Sequence, residues 1–161
     1  MKKLIILALL LTVPIVIEAR YSFKNLTDYQ CMVANIFFEA RGETIQGMQA
    51  VAKVTMNRAK SNRYPSSICA VVFQRKQFSW THQQSWKVIN RIVTGQVNHL
   101  KGKDLQAYTI AQIIAHNAVT GKLSVPKLKD SMYYHATYVN PKWARKMQRV
   151  AKVGSHVFYK G

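Results

Sequence analysis

The sequence predicts a single α+β domain dominated by helices, with a small extended or β region toward its C-terminus. Three observations predict it. Up to residue 120, apolar residues recur at intervals of three and four between helix-start and helix-stop signals. Beyond Pro126 the texture changes to stretches rich in Tyr, Val and Phe, which favour extended backbone. With 161 residues at 48% apolar composition there is material for one core, and no repeat, low-complexity tract or Gly/Ser-rich linker divides the chain.

The elements follow in order. Lys2-Lys3 and a fourteen-residue apolar run from Leu4 to Ile17, broken by Pro14, have the shape of an export signal. A membrane-spanning helix needs about 20 apolar residues. Residues 1–19 are therefore read as a signal peptide cut near Ala19, or as a signal-anchor, since Ile17 is large for a position three before the cut. Thr27, followed three residues later by Gln30, makes a capping box ahead of Met32, Val33, Ile36 and Phe37. This predicts a first helix from Asp28 to Arg41, stopped by Gly42 in the left-handed conformation. A second helix is expected from Ile45 to Lys60, with Met48, Val51, Ala52 and Thr55 facing inward. Ser66 to Phe73 suits a short third helix, and Gln77 to Thr81 reads as extended or looped. Trp86 to Val93 is helical in spacing up to Gly95. Asp104 is placed to cap a longer helix from Leu105 to Thr120, stopped by Gly121. Met132 to Val139 and Val150 to Tyr159 read as strands or ordered loops around Pro141-Trp143.

Charge points to the surroundings. Lys and Arg number 24 against 6 Asp and Glu, a net charge of +18, and loss of residues 1–19 leaves the chain almost as basic. Such a surface calls for an anionic partner, nucleic acid or an anionic envelope polymer. The two cysteines, Cys31 and Cys69, are either a disulfide, as an oxidising compartment would favour, or two buried thiols. His82, His99, His116 and His156 show no metal-ligand spacing, so neither a metal nor another cofactor is expected.

Acids are so scarce that candidates for proton transfer can be enumerated. Within residues 20–161 they are Asp28, Glu39, Glu43, Asp104 and Asp130. Asp28 and Asp104 fall at helix starts, where capping explains them. Asp130 reads as a solvated loop charge. Glu39 shares a helical face with Met32 and Ile36, and a carboxyl held against apolar surface is pushed toward its protonated form, as a general acid requires. The competing reading pairs Glu39 with Arg41 or another cation. Glu43 reads as structural, paired with Arg41 or Arg58.

The run Ala34-Asn35-Ile36-Phe37-Phe38-Glu39-Ala40-Arg41-Gly42-Glu43, followed by Gly47 to Ala52 and Asn57-Arg58, resembles the SleB family of cell-wall hydrolases. So do Tyr64 to Gln74, Gln77-Phe78-Ser79-Trp80, Tyr134-His135, Pro141-Lys142-Trp143 and Gly154 to Tyr159, in that order, so that the resemblance covers residues 28–159. It implies a compact lysozyme-like domain at residues 20–161 that cleaves peptidoglycan glycan strands between MurNAc and GlcNAc, in several members as a lytic transglycosylase. Glu39 then maps to the catalytic acid and base. The family pattern puts Tyr134 and His135 near it, with Gln77, Phe78, Ser79 and Trp80 as further substrate-binding candidates, since sugars present CH faces to rings and hydroxyls to amides. Trp143 and Phe78 have core packing as the competing reading. The implied setting is the periplasm or cell wall, with the N-terminal segment as a transient tether to the inner membrane. The partners are glycan strands and anionic envelope polymers, met as a monomer. A small basic exported lytic enzyme would also suit a phage endolysin.

Three alternatives stand beside this. A hydrolytic muramidase would need a second carboxylate, for which Glu43 is the candidate. A nucleic-acid-binding module would use basic runs such as Lys142 to Lys152, but no helix-turn-helix, zinc spacing or RNP motif accompanies them, and no nucleic acid is expected. A cationic membrane-disrupting carrier would lyse cells without Glu39.

Overall fold

The structure, a computed structural model, describes residues 23–161; the expected signal segment lies outside the described residues. A 3-10 turn at Phe23–Asn25 leads into helix α1 (Asp28–Ala40). Its N-terminus is closed by the expected capping box, in which the Gln30 amide donates to Thr27 Oγ1 at 3.2 Å and the Thr27 amide donates to Gln30 Oε1 at 2.9 Å. Residues Cys31 to Phe37 are all buried, so α1 has no solvent face and forms the axis of the core. Helices α2 (Ile45–Ala59), α3 (Ile68–Val72), α5 (Trp86–Val93) and α6 (Gly102–Val119) pack around it. On α6 the buried stripe is Ala107, Tyr108, Ala111, Ile114, Ala115 and Ala118. Its alanines let the two helix backbones approach closely.

Several local expectations are corrected. Gly42 does not take a left-handed φ; α1 ends because the chain turns, with the Glu43 amide donating to Ala40 O at 3.0 Å. Helix α6 starts at Gly102, so Asp104 sits inside the first turn instead of capping it, and its carboxylate lies 3.7 Å from Arg41 Nε. A four-residue helix α4 (Trp80–Gln83) occupies the end of the segment expected to be extended or looped. Asp28 also does more than begin α1: its Oδ1 accepts from the Cys69 amide at 3.0 Å, tying α3 to α1. The cysteines themselves form a disulfide with a Cα–Cα distance of 5.2 Å.

The C-terminal part forms a three-stranded antiparallel sheet in the order β1-β3-β2, from β1 (Ser131–Ala136), β2 (Arg149–Val153) and β3 (His156–Lys160). The expected single stretch from Val150 to Tyr159 is thus a hairpin, with Val153 opposite His156 and Gly154-Ser155 as its two-residue turn. Gly154 has φ +55°, the positive value a type II′ hairpin turn demands at its first central position. One face of the sheet lays Phe158 against Ala50, Val54 and Leu128 in a small second core under α2. Two neighbouring residues at the end of α2 fasten the approach to β1. Asn57 Nδ2 donates to Leu128 O and Ser131 O, each at 2.8 Å, and Arg58 Nε donates to Met132 O at 2.7 Å.

Candidate active site

The helical body and the sheet meet in an open groove of about 610 Å³. One wall comes from the end of α1, which contributes Phe38, Glu39 and Arg41; the other comes from β1, which contributes Tyr133, Tyr134 and His135. Among the described residues, Glu39 is the one carboxylate lining this groove. Its position follows from the end of a buried helix: one residue short of the α1 terminus, its backbone is fixed by the core while its carboxyl reaches the opening.

Tyr134 donates its hydroxyl proton to Glu39 Oε2 at 3.2 Å. Burial pushes the Glu39 carboxyl above its ordinary value, against the pull of the Tyr134 hydrogen bond and the Arg58 charge. The Tyr134 phenol is held well above its own ordinary value by burial and by Glu39, so it stays a donor. The competing pairing of Glu39 with Arg41 is not made: the Arg41 guanidinium faces Asp104 and lies 5.3 Å from the Phe37 ring centroid. A carboxyl that holds its proton beside an oriented donor can act as a general acid.

Glu43 has neither of the expected arginine partners. Its carboxylate accepts from the Ser155 amide at 3.0 Å and from the Ser155 hydroxyl. Burial would raise its pKa, but the two Ser155 bonds and the nearby His156 outweigh that and hold it below the ordinary value. The His156 ring, pushed down by burial and by His135 against the attraction of Glu43, stays neutral at neutral pH. At 3.7 Å, His156 Nδ1 and Glu43 are therefore neighbours and not an ion pair. Ser155 is a junction, since its carbonyl also accepts from the Thr137 amide at 2.7 Å, just past the end of β1.

All six substrate-binding candidates line the groove: Gln77, Phe78, Ser79, Trp80, Tyr134 and His135. They do so unequally. Phe78 and Trp80 are only 2% and 3% exposed, so Phe78 takes the core packing that competed for it, and the expectation that the Trp80 ring face stacks on sugar is corrected. Trp80 stacks under Phe38 with centroids 4.7 Å apart. Its indole N–H donates to Asn35 Oδ1 at 3.2 Å, and Asn35 in turn donates to Thr55 at 3.0 Å. Gln77 and Ser79 are open to the groove, the chain having turned through Lys76 at φ 63°. His135 faces the carbonyl of Ala136 through Nδ1 at 2.9 Å. A carbonyl only accepts, so Nδ1 carries the proton and Nε2 accepts from the Tyr159 hydroxyl at 2.9 Å.

Trp143, for which core packing competed, is 36% exposed. It stands edge-on to His135 and Tyr159, at 5.6 and 5.4 Å between centroids, and with Tyr138 it presents an open ring to the groove. Sequence reasoning left Arg58 and His156 out of the site. Arg58 was visible in the Asn57-Arg58 block, and His156 in the Gly154 to Tyr159 block, but neither position carried a local signal of its direction.

A family model described as cell wall hydrolase matches residues 42–159. The chain belongs to the cell wall hydrolase family. The match begins three residues beyond Glu39, so Glu39 rests on the geometry above. Relatives of this chain include the spore cortex-lytic enzyme of Bacillus cereus, 25% identical over 83% of this chain and 44% of that protein. The spore cortex-lytic enzyme of Bacillus subtilis is 24% identical over 84% of this chain and 38% of that one. The chain thus spans less than half the length of these curated relatives. Among solved structures, the fold is similar to the catalytic domain of the Bacillus cereus SleB protein, with TM-score 0.58 and 25% identity over 83% of this chain and 89% of that one. The catalytic domain of the germination-specific lytic transglycosylase SleB from Bacillus anthracis is equally similar, at 0.58 and 25%, covering 83% and 93%. The helical body with its small antiparallel sheet is the SleB catalytic fold.

Proposed function

We propose that this protein cleaves peptidoglycan glycan strands between MurNAc and GlcNAc as a lytic transglycosylase, with Glu39 as its single acid and base. The observation that carries this reading is the groove's carboxylate inventory: one part-buried carboxyl with a raised pKa, held by Tyr134, and no second acid lining the groove among the described residues. Glu43, the candidate second carboxylate, has both oxygens engaged by Ser155. Hydrolysis by two carboxylates needs partners about 5 to 10 Å apart across the sugar. One carboxyl suffices for ring closure. Glu39 gives its proton to the glycosidic oxygen as the bond from C1 of MurNAc breaks. The C6 hydroxyl of the same MurNAc then bonds to C1 and returns its proton to Glu39, leaving a 1,6-anhydro end and consuming no water.

The exposed Trp143 ring, Gln77 and Ser79 suit a saccharide strand, which offers CH faces and hydroxyls in turn. The disulfide and the net charge of +18 support an exported protein working among anionic envelope polymers, with residues 1–19 as its signal and 20–161 as its catalytic domain. Mass spectrometry of digested peptidoglycan tests the reaction: 1,6-anhydro ends are expected, and reducing ends would establish a muramidase instead. Glu39→Gln is expected to abolish cleavage. Clearing of purified peptidoglycan by that variant would overturn the assignment.

A further inference from the structure

Arg58 brings a full positive charge into the groove wall and leaves part of it unused. The residue is 4% exposed. Its Nε donates to Met132 O, and its guanidinium carbon lies 5.6 Å from the ring centroids of both Tyr64 and Phe78. Nη1 is buried without a hydrogen-bond partner. A buried charged donor lacking an acceptor is more costly than a neutral one. Anchoring does not require that cost, because the Nε bond and the two Asn57 bonds already fasten the chain entering β1. Arg58 shares the groove wall with Glu39, on whose carboxyl its charge acts.

We infer that Arg58 is a positioning residue whose unpartnered guanidinium N–H becomes the counter-charge for the Glu39 carboxylate once the acid has given up its proton. The inference rests on Glu39 being the acid. Before the reaction the protonated Glu39 offers Arg58 no anion. As the proton passes to the glycosidic oxygen and the C1–O bond breaks, the negative charge left on Glu39 meets a positive charge already desolvated in the same groove wall. An interaction that strengthens only as the proton departs lowers the barrier without tightening the ground state.

The other titratable groups facing the pair are Tyr133, Tyr134 and His135 from β1, Tyr138 just beyond it, His156 from β3 and Tyr64 from the segment before α3, with Arg41 and Lys76 on the exposed rim. Tyr134 and Tyr64 are both raised, foremost by burial, and so stay neutral, while His156 is lowered and neutral.

The experiment is kcat against pH for Arg58→Gln, which keeps an amide donor for Met132 O while removing the charge, and for Arg58→Lys, which keeps the charge. Activity requires protonated Glu39, so it falls as pH rises through the Glu39 pKa. Arg58→Gln is expected to lower kcat at least about tenfold and at the same time to move the alkaline limb to higher pH by a substantial fraction of a unit. Arg58→Lys is expected to leave the limb in place and to recover part of kcat. A cooperatively folded Arg58→Gln whose limb does not move overturns the inference and leaves Arg58 an anchor. If Arg58→Gln does not fold, Arg58→Met, which keeps the aliphatic stem and removes the charge, decides by the same reading: a limb moved to higher pH supports the inference and an unmoved limb overturns it. Glu39→Gln assayed alongside separates the two failures, because cleavage by that variant would sink the acid assignment itself.

Discussion

Reducing the Cys31–Cys69 disulfide should remove about 4 kcal/mol of stability while leaving the enzyme active in the absence of denaturant. The bond joins residues 38 apart in sequence, and in the chain-entropy model a closed loop of that length restricts the unfolded chain by about 3.9 kcal/mol at 25 °C. Reduction is a cleaner perturbation than substitution. Both sulfurs are buried, and replacing them with alanine would add a cavity term of its own. With a urea slope of about 2 kcal/mol/M for a domain of this size, the unfolding midpoint should fall by roughly 2 M. Activity without urea should persist, because the Asp28 bond to the Cys69 amide at 3.0 Å still holds α3 to α1 and Glu39 stays at the end of a buried helix. The assay is a pair of urea titrations followed by circular dichroism, oxidised and reduced, with two free thiols counted in the reduced sample. An unchanged midpoint with both thiols free would refute the reasoning.

Glu39 has a folded-state pKa above its ordinary 4.5, so its share of stability is complete below that value and is lost as pH rises through the folded one. Glu39→Gln should therefore melt higher than the parent at neutral pH and converge with it near pH 4, the opposite of its effect on activity; differential scanning calorimetry at the two pH values reads this. Glu43 has the reverse sign, with a folded value below 4.5, so it stabilises above that pH and the benefit goes as pH falls through the folded value. Glu43→Gln should cost about 1.5–3 kcal/mol at pH 7, with the difference shrinking in acid, measured by urea midpoints across pH. Gly154→Ala should destabilise and lower activity together, since its Cβ would collide with Glu43 Oε2 and its φ is +55°. A thermal melt and a peptidoglycan-clearing assay on the same preparation check both.

What the sequence could show depended on how far each determinant reached. The Thr27-Gln30 box and the Gly121 stop are local, and both appear where local rules put them, Gly121 at φ +76°. Glu39 stood out as a candidate because acids are few and its neighbours are apolar, and it lies in the groove beside Tyr134. The hairpin at Gly154-Ser155 had a readable turn signal that a long run of Val, Phe and Tyr obscured. Four residues are too few to display a helical period, so α4 left no trace. The partner of Glu43 lies 112 residues away in sequence, and local charge arithmetic suggested an arginine instead. Trp80 and Trp143 could not be sorted into buried and open, because a ring's exposure depends on what folds over it: Phe38 covers one, and among the described residues none stacks flat on the other. Arg58 carried no sign of an idle donor, which only the packed neighbourhood creates.

The grip of Glu43 on Ser155 bears on when the groove comes into being. The chain is made from its N-terminus, so α1 with Glu39 is synthesised long before Ser155, whose amide, hydroxyl and carbonyl tie the α1–α2 corner to the hairpin turn and to the end of β1. Until that turn is made, Tyr134 has no neighbouring strand to hold it opposite the acid. The helix that bears Glu39 therefore precedes the rest of the groove by more than a hundred residues of synthesis, and a chain interrupted before β3 would carry Glu39 without the wall that completes the proposed site.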